Sequence, residues 1–380
     1  MIRVSRLVHG REPASRAMAE IRHGGCGPVV FWNVTARCNL RCVYCYLGAS
    51  PDASTTGELT TSEALGLLDE FAAVRAPVVL FSGGEPLLRP DIWELAARAR
   101  ALGLATALST NGTLITPEVA RRMGEAGFEY IGISLDGASA ETHDALRGVP
   151  GSFQRAVEGM RNCVAAGVRC GARVTVTRDN AAEIPALLAL SREIGIRRFC
   201  LYWLVPSGRG SEVTVTRQVH PAETRRILDL LYRAAREIAP EEMEILTVDA
   251  PQDAAYILER LRQDDPRRYE EAVRDASAGA ACSAGDRVVN IDPRGRVYPC
   301  QFAQQQAFEI GDVRSKRFAE LWQDPDNSVL ARFRAAYTPE NGSCGTCTSL
   351  DLCRGGCRIR ALAAHGSISA ADPLCPGKGG

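Results

Sequence analysis

The sequence predicts an α/β fold, a partial, TIM-like (β/α)6 barrel followed by a small cysteine-rich C-terminal domain. Three observations carry that expectation. Six short apolar runs alternate with amphipathic helical stretches between residues 29 and 210, the cysteines crowd into two distant groups, and 380 residues at 46% hydrophobic content suffice for a large core.

The apolar runs are VVFWNV (29–34), PVVLFS (77–82), ATALST (105–110), YIGISL (130–135), ARVTVT (172–177) and RRFCLYWL (197–204). Helical patterns fill 61–74, 91–103, 116–127, 152–167 and 180–195, several starting at Ser, Thr, Asp or Asn and stopping at Gly, as helix caps require. Strands joined through helices imply a parallel sheet with the helices outside, because such crossovers are right-handed. In a barrel of this kind, ligand-binding residues gather at the C-terminal ends of the strands.

Residues 1–28 read as an N-terminal extension, 29–210 as the barrel, 211–281 as a charged, bridging helical segment, and 282–380 as the cysteine-rich domain. That last domain opens with RVVNIDPRGRVYPC (287–300), two apolar strands around the turn DPRG, a hairpin signal. Its final PGKGG is expected to be mobile. Lys plus Arg and Asp plus Glu each number 45, so no basic field gathers a nucleic acid. No secretory pattern opens the sequence and no run approaches the roughly 18 apolar residues that cross a bilayer. The expectation is a cytoplasmic protein with no nucleic-acid or membrane partner.

Fourteen cysteines without an export signal read as metal ligands before disulfides. Cys26, Cys163, Cys170 and Cys200 stand alone and read as small buried hydrophobes. CNLRCVYC places Cys38, Cys42 and Cys45 in one loop after the first strand, with no fourth ligand nearby for zinc. Three thiolates on a four-iron cluster leave one iron free to bind a ligand. SGGEP (82–86) ends the second strand, and its paired glycines let backbone groups approach a ligand closely. STNG (109–112) and SLDG (134–137) end the third and fourth.

The pattern Cys-x3-Cys-x-Tyr-Cys, with SGGEP about forty residues later, resembles the radical S-adenosylmethionine (SAM) superfamily. The resemblance implies that Cys38, Cys42 and Cys45 hold a [4Fe-4S] cluster whose free iron chelates SAM. Reductive cleavage then gives a 5′-deoxyadenosyl radical that takes hydrogen from the substrate. It also implies that Tyr44 lies beside the adenine, and that Gly83, Gly84 and Glu85 bind the methionine amino group. Ser109, Asn111, Ser134 and Asp136 fall near the ribose and carboxylate, with Arg173 a partner for that carboxylate. A low-potential donor such as ferredoxin or flavodoxin would supply the electron.

Cys344, Cys347, Cys353 and Cys357 follow one another at spacings x2, x5 and x3, with Cys375 after them and Cys282 and Cys300 before. The pattern resembles the SPASM extension of radical SAM enzymes, which carries auxiliary iron–sulfur clusters. On that analogy there are one or two auxiliary clusters: Cys344, Cys347, Cys353 and Cys375 hold one, and Cys282, Cys300 and Cys357, only three cysteines, hold a second or none. A zinc knuckle is the alternative for the four-cysteine group.

Within the superfamily, VVFWNVTARCNLRCVYCY, GFEYIGISLDG, CSAGDRVVNIDPRGRVYPCQF and CRGGCRIRALAAHGSISAADPLC resemble the haem d1 and alternative-haem (siroheme-pathway) subgroup, over about 29–210 and 282–375. The resemblance implies removal or modification of side chains on a tetrapyrrole such as 12,18-didecarboxysiroheme. Arg178, Arg209, Arg294 and Arg296 are candidates for its carboxylates, and Tyr202 and Trp203 for its ring. The rival is a SPASM enzyme that matures a ribosomally made precursor peptide; such enzymes often carry an N-terminal winged-helix domain, for which the 28 residues before the first strand are too few.

Overall fold

The computed structural model describes residues 1–10, 27–277, 281–340 and 343–377; Cys26 and the last three residues lie outside them. Six parallel strands fall where the apolar runs lie: β1 (Val29–Asn33), β2 (Val78–Ser82), β3 (Ala105–Thr110), β4 (Tyr130–Ser134), β5 (Cys170–Val176) and β6 (Arg198–Trp203). They are neighbours in sequence order. A seventh parallel strand, β7 (Glu244–Val248), extends the sheet beyond β6, so the segment read as purely helical also contributes to the barrel.

On the opposite edge β8 (Val288–Ile291) pairs parallel to β1, and β9 (Arg296–Tyr298) and β10 (Gly311–Asp312) continue antiparallel. The DPRG turn does form the expected hairpin, with Asp292 Oδ1 accepting from the N–H groups of Arg294 and Arg296. The cysteine-rich segment is therefore joined to the barrel sheet through β8.

The helices are α1 (Val4–His9), α2 (Thr61–Ala73), α3 (Ile92–Ala101), α4 (Pro117–Ala126), α5 (Ala140–Arg147), α6 (Ser152–Ala165), α7 (Ile184–Ile194), α8 (Gly210–Arg217), α9 (Pro221–Glu237), α10 (Asp253–Asp264), α11 (Pro266–Ser277), α12 (Phe318–Gln323), α13 (Ser328–Arg334), α14 (Leu350–Cys353) and α15 (Arg358–His365). Local chemistry sets their ends. A reciprocal capping box between Thr60 and Glu63 starts α2, and α4 runs from the Thr116 cap and Pro117 to Gly127 in the left-handed region.

Strand alternation separates core from site. On β5, Val174 and Val176 are fully buried in the main hydrophobic core, whereas Arg173 and Thr175 line the cavity inside the barrel. Trp32 packs edge-on to Phe71 of α2, which packs edge-on to Phe318 of α12, ring centroids 5.8 and 5.1 Å apart. The same aromatic row thus ties β1 to the C-terminal segment. At the other end of the barrel Ile2 exchanges two backbone hydrogen bonds with Thr247 of β7. Beside it, Glu244 pairs with both Arg3 and Arg198.

Candidate active site

The cysteine loop is clamped from three sides before any side chain is considered. Gly84 N donates to Thr35 O and Glu85 N to Arg37 O, at 2.7 and 2.8 Å. From the end of α5, Arg147 O and Leu146 O accept from Arg41 N and Val43 N. From the far side, the Arg209 guanidinium donates to the carbonyls of Cys42 and Ala49, at 2.9 and 2.8 Å.

The paired glycines follow from this packing. A Cβ on Gly84 would lie 2.2 Å from Arg37 O, and Gly83 has φ +133° with Thr35 O 2.5 Å from where its Cβ would be. Both also line the cavity, so the motif allows the loop and the ligand space to share one wall.

That cavity, together with the open solvent at its mouth, spans about 1110 Å³. Cys38, Cys42 and Cys45 line it, and so do Tyr44, Gly83, Gly84, Ser109, Asn111, Ser134 and Arg173. Two residues expected there are elsewhere. Glu85 is fully buried behind the wall, accepting from Asn111 N at 2.8 Å, Thr110 Oγ1 at 2.8 Å and Leu87 N at 3.1 Å. It fixes the end of β3, and burial pushes its carboxyl up to about 7. Asp136, also fully buried, accepts from the Tyr44 hydroxyl and from Thr175 N and pairs with Arg147. It is a hub that orients cavity-lining groups from behind.

Arg173 donates to Ser109 Oγ, stands 5.4 Å from the Tyr202 ring centroid, and keeps a buried Nε without a hydrogen-bond partner. Sequence reasoning missed Arg147, the last residue of α5: buried, lining the cavity, with Nη1 3.5 Å from Cys42 Sγ. It also missed Tyr46, whose hydroxyl donates to Asn33 Oδ1 at 2.8 Å, and Gln301 and Phe302, which reach the cavity from the segment beside Cys300. The signal available for those two was their adjacency to a cysteine of the second group.

Tyr202 and Trp203 do line the cavity. The four arginines expected to meet substrate carboxylates do not. Arg209 holds the cysteine loop, Arg178 is exposed and bonded to Gln218 O, and Arg294 and Arg296 are exposed on the hairpin. The cationic groups on the cavity wall are instead Arg147 and Arg173.

The donor set fits an iron–sulfur cluster. Burial pushes the Cys38 thiol up to about 12 and raises that of Cys42, so as free thiols both stay protonated. A cationic cluster reverses that preference, since it binds the thiolate. Among the described residues no fourth cysteine lines this cavity. Among the described residues no three His, Cys, Asp or Glu side chains gather as tightly as a single-ion site requires.

The C-terminal cysteines sort into two sets. Cys282, Cys300 and Cys357 meet in a small apolar cluster with Phe333 and Ile359, where burial and then the field of Cys282 and Cys357 raise Cys300. Burial pushes Cys353 up to about 11, with Cys375, Cys347 and Cys344 as its neighbours. Cys282, Cys300 and Cys357 thus share one apolar cluster, and Cys344, Cys347 and Cys375 neighbour Cys353. Cys163, Cys170 and Cys200 are buried in the barrel region, as expected of core residues, with the Cys163 and Cys170 thiols hydrogen-bonded to each other and Cys200 against the Tyr130 hydroxyl.

The sequence profile of the Radical SAM superfamily matches residues 32–190, and that of SPASM, an iron–sulfur cluster-binding domain, matches 282–348. The zinc-knuckle alternative gives way to that second match. Fe-coproporphyrin III synthase of Methanosarcina barkeri is 39% identical over 92% of this chain and 87% of its own. Pre-heme d1 synthase of Dinoroseobacter shibae is 41% identical over 93% and 87%. Among solved structures, Streptococcus suis SuiB bound to precursor peptide SuiA superposes with a TM-score of 0.70 at 20% identity, covering 95% of this chain and 79% of that one, a likeness of fold. No helix among the described residues is long and apolar enough to cross a membrane. The chain belongs to the radical SAM superfamily as an enzyme with a SPASM domain, and its cofactors are SAM and iron–sulfur clusters.

Proposed function

We propose that this enzyme takes hydrogen from a carboxylate-bearing side chain of a siroheme-derived tetrapyrrole, so removing or modifying that side chain in haem or haem d1 biosynthesis. One observation carries the reading: one cavity is lined by the Cys38, Cys42 and Cys45 loop, by Gln301 and Phe302 beside Cys300, by Arg147 and Arg173, and by the rings of Phe31, Tyr46 and Tyr202. Guanidinium groups pair with carboxylates and aromatic rings stack on a macrocycle. The kinship with Fe-coproporphyrin III synthase and pre-heme d1 synthase supports the same substrate class.

When bound at Cys38, Cys42 and Cys45, the cluster with SAM supplies a primary carbon radical strong enough for an unactivated C–H bond. This chain's own residues divide the rest. Tyr44, Ser109, Asn111, Ser134 and Arg173 present polar and aromatic groups to SAM. Glu85 and Asp136 hold those groups in place. Cys344, Cys347, Cys353 and Cys375 take one auxiliary cluster and Cys282, Cys300 and Cys357 a second, within a SPASM unit of 282–380 that follows the 29–210 core. A ferredoxin or flavodoxin in the cytoplasm delivers the electron.

The test is a strictly anaerobic incubation of cluster-loaded protein with SAM, a strong reductant and 12,18-didecarboxysiroheme, with mass spectrometry of nucleoside and tetrapyrrole. A tetrapyrrole mass change accompanied by 5′-deoxyadenosine, both lost in Cys42→Ala, is the expected result. 5′-Deoxyadenosine with an unchanged tetrapyrrole would overturn the substrate and turn the search toward a precursor peptide.

A further inference from the structure

The geometry points to Arg147 as the residue that sets the reduction potential of the cluster at Cys38, Cys42 and Cys45, with Asp136 as its counterweight. The inference rests on those three cysteines holding the SAM-binding cluster.

Arg147 stands at the junction of three structural facts. Its carbonyl and that of Leu146 hold the backbone of Arg41 and Val43, so the end of α5 is fastened to the cysteine loop on both sides of Cys42. Its Nη1 reaches Cys42 Sγ at 3.5 Å. Its guanidinium also pairs with Asp136, whose side chain has no exposure to solvent, and lies 5.9 Å from the Tyr44 ring centroid. The Nε is buried without a hydrogen-bond partner.

Reducing a cluster adds one negative charge to a centre already surrounded by three thiolates. A guanidinium fixed beside one of those sulfurs, in surroundings that screen poorly, favours the more negative state and makes reduction easier. Asp136 works against this from behind Arg147, at one remove from the sulfur. Removing the cation and removing its counter-anion must therefore move the potential in opposite directions. A residue that merely braced the loop would not produce opposite signs.

The experiment is a redox titration of cluster-loaded full-length protein without substrate, following by electron paramagnetic resonance the signal that SAM perturbs, which separates this cluster from the auxiliary ones. Arg147→Gln is expected to shift the reduction equilibrium at least tenfold toward the oxidised form, 59 mV for one electron. Asp136→Asn is expected to shift it the other way, and Arg147→Lys to stay nearer the parent than Arg147→Gln. If Arg147→Gln does not load, Asp136→Asn and Arg147→Lys decide. A potential unmoved within twofold by Asp136→Asn, or moved by it toward the oxidised form, overturns the proposal. A parent protein with no SAM-perturbed signal, or one whose signal survives Cys42→Ala, overturns the cluster assignment itself and the proposal with it.

Discussion

Arg360 and Asp372 form an ion pair closed off from solvent, Nη2 to Oδ2 2.7 Å, and the same carboxylate organises both sets of C-terminal cysteines. It accepts from Cys357 N at 2.7 Å and from Leu374 N, next to Cys375, at 3.0 Å. Gln252, at the barrel side, donates to it at 3.1 Å. Removing one partner of a buried pair strands the other. Asp372→Ala should therefore cost about 3–5 kcal/mol. Denaturant unfolding should show that loss, and iron per chain should fall. Replacing Arg360 and Asp372 together by Met and Leu should cost less than the single change; an equal or greater loss would refute the account.

Gly84 offers a sharper test of how the site is built. A methyl group there meets a backbone carbonyl at 2.2 Å, and neither the carbonyl nor the strand end behind Gly84 is a flexible side-chain tip that can swing aside. Gly84→Ala should displace the cysteine loop, cutting 5′-deoxyadenosine formation more than tenfold, with roughly 1–3 kcal/mol of overpacking cost. Gly66, in the middle of α2, has no atom within 4 Å of its Cβ position. Gly66→Ala should be neutral or should stabilise by about 0.5–1 kcal/mol, with unchanged SAM cleavage.

Glu85 gives the fold a pH dependence of definite sign. Its carboxyl is held at about 7 against an ordinary 4.5, because burial outweighs the hydrogen bonds it accepts. Between those values the folded chain binds the extra proton, so stability falls as pH rises through this window and the contribution is fully present only below it. Burial of Asp253, also raised to about 7, acts in the same sense, while buried His143, lowered to about 4, loses stability as pH falls. Comparing Glu85→Gln with the parent isolates one group. The variant should gain on the parent by roughly 2–3 kcal/mol between pH 4.5 and 8, measured by denaturant midpoints of the cluster-free protein. A constant difference would remove Glu85 as the source.

Much of this was legible in the sequence because the barrel strands are apolar runs bounded by turns, and the cysteines keep fixed spacings in short loops. β7 was not, since EILTV is five residues set between charged helices and opens with a glutamate that reads as surface. Only folding reveals that Arg3 and Arg198 neutralise it. Arg147 was missed for a related reason: 105 positions separate it from Cys42, and nothing local distinguishes the last arginine of an amphipathic helix. Asp136 and Glu85 were read at the right strand ends, and folding buries both side chains behind the cavity wall. Sequence marks a polar residue as important without showing which side of the wall it faces.

Phe302 tests whether the segment beside Cys300 contributes to substrate binding. It lines the cavity and packs edge-on to Tyr46, ring centroids 5.7 Å apart. Losing a large aromatic from a binding wall removes stacking and apolar contact from the macrocycle. SAM, which the proposal assigns to the loop and the ends of β2 to β5, would keep its contacts. Phe302→Ala should therefore raise the KM for the tetrapyrrole tenfold or more while leaving SAM cleavage in the absence of substrate within twofold. An equal loss of both would mean that Phe302 supports the cysteine loop through Tyr46, and an unchanged KM would place the tetrapyrrole elsewhere in the cavity.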